Sequence, residues 1–232
     1  MEGDGAVGRA PEASGETEPE LSSTPRTVLN RHRERGRTDR DDLYAVLDAG
    51  LICHLGVIAD GVPRVLPTGY GRLGDTVYLH GSSANSTFMA GAGREVCVTV
   101  THLDGFVCAR SVFNHSMNYR SAMIFGVATL VTDPAEKMLA LRTITEHLTP
   151  GQWSYVRQPT KKELAATSAL VLPLTEASVK IRTGGPSDEP EDYQLDVWAG
   201  VLPITTAFGE PEPDAALRPG IAVPPHIGKR GM

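Results

Sequence analysis

The chain has 232 residues, of which 41% are hydrophobic and 22% charged, with a formal net charge of -6. This balance supports a globular core and offers no basic footprint for nonspecific nucleic-acid binding, and no apolar run approaches the ~18 residues of a spanning helix. The 24 glycines and 17 prolines exceed the usual ~12% combined share, yet no glycine repeat of period three appears. The excess points to many turns and to loosely structured ends.

Residues 1–25 hold almost no large apolar side chain, so they are expected to form a disordered extension. An arginine-dense stretch follows: Arg26, Arg31, Arg33, Arg35, Arg37 and Arg40, interleaved with acids. It reads either as a solvated lead-in or as a strap that contacts an anion. Thr38 or Asp39 caps an expected helix over 40–49 with Leu43, Val46 and Leu47 on its apolar side.

From Leu51 the period becomes strand-like. The runs are Leu51–Ala59, Arg64–Leu73, Thr76–His80, Glu95–Leu103, Phe106–Phe113 and Arg120–Val131. Asp60-Gly61, Gly74-Asp75 and Asp104-Gly105 fall between them and read as hairpin turns, because such turns need positive φ. Six short runs tied by tight turns predict a mainly β fold, an antiparallel barrel with peripheral helices. Ser82–Gly91 reads as a short helix or loop. Asp133-Pro134 opens a helix that Pro150-Gly151 ends, Lys161–Thr167 is a further short helix, and Ala169–Arg182 returns to strand. A barrel domain over 26–205 is thus expected, with a Pro/Gly-rich tail over 206–232.

Cys53, Cys97 and Cys108 are odd in number and lack C-x-x-C spacing, and no secretory apolar segment opens the chain. They read as reduced, buried thiols of a cytoplasmic protein. The seven histidines show no metal spacing, so no metal site is expected, and nucleophile-elbow and phosphate-loop motifs are missing. Three polar patches remain. Arg64-Val65-Leu66-Pro67-Thr68-Gly69-Tyr70 has a proline inside a strand, which marks an edge strand or a ligand approaching the backbone. His80-Gly81-Ser82-Ser83-Ala84-Asn85-Ser86-Thr87 leads from a strand into a helix start, which suits a helix cap or an anion. Asn114–Ser121 is a dense polar run whose hydrogen-bonding side chains need partners.

The run Arg120-Ser121-Ala122-Met123-Ile124-Phe125-Gly126-Val127-Ala128 resembles the central strand of pyridoxamine 5'-phosphate oxidase-like, flavin-binding split-barrel proteins. Leu103–Arg110 and His115-Ser116-Met117-Asn118-Tyr119-Arg120-Ser121 look closer still to its flavin-nucleotide-binding branch, which includes nitroimidazole-resistance-type proteins. The resemblance implies a six-stranded split barrel, a homodimer, and FMN in a groove between subunits.

It also implies that Arg64, Val65, Leu66, Pro67, Thr68, Leu79, His80, Asn85, Ser86, Thr87, Arg120, Ser121 and Trp198 contact the cofactor. The Ser-Arg-Lys phosphate triplet of the better-known oxidases is replaced by Asn85-Ser86-Thr87, which leaves room for heme or a deazaflavin. Phosphate would then need hydroxyls, backbone N–H groups and an arginine from elsewhere, such as Arg64, Arg120 or the Arg26–Arg40 stretch. The expected function is hydride transfer at flavin N5 to a small planar substrate, with His80 and Tyr119 beside it. A heme-binding barrel with His80 or His115 as axial ligand, and a non-catalytic flavin carrier or sensor, are the alternatives.

Overall fold

The computed structural model describes residues 20, 21 and 23–229. A short strand β1 (Gly36–Arg37) leads into helix α1 (Arg40–Ala49), whose cap is Asp39 accepting from the Asp41 amide. Four strands follow: β2 (Cys53–Ala59), β3 (Val62–Thr68), β4 (Tyr70–Leu73) and β5 (Thr76–Ser82). After the one-turn helix α2 (Ser86–Met89) come two long strands, β6 (Arg94–Cys108) and β7 (Ser116–Leu130). Helices α3 (Pro134–Leu148), α4 (Gln152–Tyr155) and α5 (Lys161–Ala166) precede strands β8 (Thr167–Pro173) and β9 (Glu176–Arg182). Strand β10 (Gly200–Pro203) and helix α6 (Pro225–Gly228) complete the described strands and α-helices, and 3-10 turns lie at Arg33–Arg35, Val112–Asn114 and Pro190–Gln194.

Every strand pairing is antiparallel, in the order β3-β2-β6-β7-β8-β5-β4, with β9 along β7, β1 on β9 and β10 on β6. β3 and β4 adjoin in sequence but share no ladder, so the barrel is split there. Inward residues alternate along each strand: Leu55 and Val57, Val96, Val98 and Val100, Ala122 and Ile124, Leu170 and Leu172 build one core that α1 seals with Leu43, Val46 and Leu47. A second cluster joins Tyr78 and Ala169 to Ala140 and Ile144 of α3.

The expected mainly β split barrel is present, with more strands than the six expected. The runs 95–103 and 106–113 are one strand, because Asp104-Gly105 is a bulge rather than a turn. The register shifts between Leu103 and Gly105, and a Cβ on Gly105 would meet the Leu202 carbonyl at 2.9 Å. This glycine serves the close approach of β10, not a hairpin. The run 64–73 breaks at Gly69, where a Cβ would press on Leu148 of α3 at 2.9 Å. The run 169–182 is likewise two strands, β8 and β9. Asp60-Gly61 is the expected tight turn, with φ of 54° and 75°.

Leu21 is buried and its amide donates to the Thr38 carbonyl at 2.7 Å, while the Thr24 hydroxyl donates to Glu176. Packed chain therefore begins before residue 26; the expectation of disorder over residues 1–19 and 22 lies outside the described residues. The tail is anchored at its far end, where His226 Nε2 lies 2.8 Å from Gln152 Oε1 and the ring packs edge-on against Tyr155. The three cysteines are free; Cys53 is buried, whereas Cys97 and Cys108 are only half-buried.

Candidate functional site

Among the described residues the proline-bearing strand β3 is an edge strand, paired only with β2. Alternation divides its expected site residues. Leu66 turns inward against the core, and Arg64 and Thr68 share its side, whereas Val65, 66% exposed, and Pro67 turn outward. Arg64 donates to the Thr87 hydroxyl at 3.0 Å and to Asp60 at 3.3 Å. A guanidinium thus stands beside the Asn85-Ser86-Thr87 segment that lacks the cation triplet. Asn85 itself caps α2 through the Phe88 amide.

On β5, Leu79 is fully buried in the barrel core, so its side chain cannot reach a ligand as expected. His80 alternates with it and lies opposite Ala169, on the side that carries Tyr78 and that α3 covers. The Thr68 hydroxyl donates to the His80 carbonyl at 3.4 Å, which ties β3 to β5. The His80 ring is half-buried, its Nδ1 has no partner among the described residues, and burial holds its pKa below the usual histidine value.

Pro67, His54, Thr99, Met123 and Ser178 share one rung of the sheet. Three strand spacings, about 14 Å along the sheet, therefore separate β3 from Met123, and Ser121 and Tyr119 lie further along β7. They occupy the outer face, with Ser121 donating weakly to the Lys180 carbonyl at 3.5 Å. Among the described residues no contact joins Tyr119 to His80. Arg120 is committed elsewhere, donating twice to Asp104 at 3.0 and 2.9 Å, and this pair raises the arginine pKa and lowers that of the acid. Asp104 was hidden in sequence inside an apparent turn. Trp198 is 70% exposed beside β10.

An open groove of about 360 Å³ runs over the outer face, lined by Gly56, Ile58, Val65, Cys97 and Phe125. Arg26 closes one side of it, ion-paired to Glu95 at 2.7 Å and to Glu176, with its guanidinium 5.2 Å from the Phe125 ring. Arg35, Arg37 and Arg40 pair with Glu34, Asp42 and Asp75. The arginine stretch thus pairs largely within the protein. Among the described residues no group of three metal-ligating side chains gathers, and no helix is long and apolar enough to cross a membrane.

The family model described as pyridoxamine 5'-phosphate oxidase matches residues 39–181. The chain belongs to this family. The structure is similar to that of the flavocytochrome Anf3 from Azotobacter vinelandii, with 43% identity, 91% of this chain and 99% of that chain covered, and a TM-score of 0.86. It is also similar to an FAD and heme binding protein from Mycobacterium smegmatis, at 37% identity, 85% and 97% coverage, and a TM-score of 0.81. A proposed 5-nitroimidazole antibiotic resistance protein from Bacteroides thetaiotaomicron shares the fold at 22% identity, 63% and 86% coverage, and a TM-score of 0.54. No functionally curated protein matches the chain.

Proposed function

We propose that this protein binds a flavin together with a noncovalent heme and acts as a flavin-dependent oxidoreductase. The observation that carries the reading is similarity along almost the whole chain to two proteins described as a flavocytochrome and as an FAD and heme binder. This likeness favours FAD over the FMN expected from the wider family. Arg64 with Thr87 supplies a guanidinium and a hydroxyl beside the segment that lacks the cation triplet, a pair that suits the phosphate of either flavin.

The residues present also fit a heme. The chain has no C-x-x-C-H attachment motif, so a bound heme is held by ligation and packing alone. His115 keeps its Nε2 without a partner among the described residues. When bound, the flavin would supply two-electron exchange at N5 with a small planar substrate, and the heme one-electron exchange. The chain's own residues do the rest: Arg64 and Thr87 hold the anionic tail, while Val65 and Pro67 offer an apolar wall.

The site is completed in a homodimer. Ile58, Val65, Met123 and Val127 are exposed apolar residues on one outer face beside the unpaired edge of β3, and such a face calls for cover. A second copy would also bring Tyr119 and Trp198 of one chain toward His80 of the other. The absorption spectrum of the purified protein is the test. Flavin bands with a Soret band, and FAD and heme released on denaturation, are expected; a colourless protein that takes up neither cofactor would overturn the reading.

A further inference from the structure

Resting on the heme reading above, we propose that His115, at the tip of the β6–β7 hairpin, is the axial ligand of the heme iron. An axial imidazole needs an Nε2 lone pair open to the metal and an acceptor that fixes the proton on Nδ1. His102, His147 and His226 spend Nε2 on the Val46 carbonyl, the Gly50 carbonyl and the Gln152 side chain. His32 has an acceptor on Nδ1, the Glu34 carboxylate at 3.2 Å, but its neighbours are Arg31, Arg33 and Arg35 rather than exposed apolar side chains. His54 on β2 has no hydrogen-bond acceptor for either ring nitrogen among the described residues, so nothing fixes its proton. His80 shares this problem. Ligation through its Nε2 would put a proton on a buried Nδ1 that has no acceptor, and an unmade buried donor is costly.

His115 meets both conditions. Its Nδ1 lies 2.8 Å from the Ser111 carbonyl, and a carbonyl can only accept, so Nδ1 carries the proton and Nε2 keeps its lone pair. The turn that carries it is fixed. Ser111 caps the turn through the Asn114 amide, and the Arg110 amide and guanidinium each donate to Asp188 at 2.9 Å. Arg110 also stacks over Tyr193, 4.7 Å from its ring.

The surroundings suit an apolar macrocycle with carboxylate arms. Val112 and Phe113 are each 91% exposed, and Phe106, Met117 and Leu202, which share one rung, are exposed beside them. Two buried donors of this turn, Arg110 Nε and Asn114 Nδ2, have no acceptor among the described residues, and a propionate is a group that supplies one.

Hemin titration of the full chain, followed in the Soret region, tests the assignment for the wild type, His115→Ala and His80→Ala. Flavin absorbance, thermal midpoint and mass are followed in parallel. The wild type and His80→Ala should give the same saturable band, whereas His115→Ala should bind hemin roughly tenfold or more weakly. Added imidazole should restore its ligated spectrum, with flavin, mass and midpoint unchanged. Wild-type-like titration of His115→Ala, or loss of the band in His80→Ala, would refute the assignment, as would a heme loss that accompanies a change in mass. A wild type that never develops a Soret band sinks the heme reading itself, and this assignment with it.

Discussion

At Gly71, in β4, the backbone of helix α3 lies against the barrel, and replacing this glycine with alanine measures that contact. A Cβ there would meet the Thr143 carbonyl carbon and oxygen at 2.7 Å and the Ile144 Cα at 2.8 Å. All three are backbone atoms, so no side chain can swing aside. Ordinary contact begins near 3.4 Å, so α3 must retreat by about 0.7 Å, enough to forfeit a quarter or more of the dispersion at the interface. The interface buries Tyr78, Ala140, Ile144 and Ala169. Overpacking of this kind costs about 1–3 kcal/mol, and at this chain length each kcal/mol moves the midpoint by roughly 2–4 °C. Thermal unfolding of Gly71→Ala should therefore show a midpoint lower by about 2–12 °C. Gly209→Ala, where an added Cβ meets nothing within 4 Å, should be neutral. A Gly71→Ala midpoint within about 1 °C of wild type would show that α3 is not seated on β4 as described.

Three further outcomes follow from the same geometry. Burial depresses the His80 pKa, so the unfolded chain takes up a proton near ~6.5 while the folded chain does so only at lower pH. Stability should fall as pH drops below about 6.5, and His80→Phe should flatten the midpoint-versus-pH curve between pH ~7 and ~5; an unchanged slope refutes the burial argument. Val65→Glu places a charge on the exposed outer face; light scattering should report a shift from dimer to monomer with little change in midpoint, and an unaltered mass would remove this face from the interface. Burial pushes the Cys53 thiol up to about 12, so alkylation at pH ~8 followed by mass spectrometry should modify the half-buried Cys97 and Cys108 first. Early labelling of Cys53 in folded protein contradicts its place in the core.

Local chemistry makes several elements legible in the amino-acid sequence. Asp133 followed by Pro134 announces a helix start because the carboxylate answers an orphan amide and proline already has helical φ. Asp60-Gly61 announces a turn because both residues adopt positive φ at low cost. Asp104-Gly105 has the same letters and a different role. Its glycine is explained by the arrival of β10, about one hundred residues later in sequence, and no local signal carries that.

Sequence alone determined the residue types from which a site can be built: an edge strand with Arg64 and Pro67, a histidine at the end of β5, and a polar run ahead of β7. Alternation along a strand is local, so the inward and outward assignment of Val65 and Leu66 was within its reach. Tertiary structure decided which groups are already spent. Arg120 is held by Asp104, Arg26 by Glu95 and Glu176, and Leu79 by the core, whereas Arg64 stands on Thr87 and His115 is oriented by Ser111. The physical reason is that a charge or ring nitrogen acts on a ligand only when its nearest partner leaves an atom open, and those partners come from distant parts of the chain.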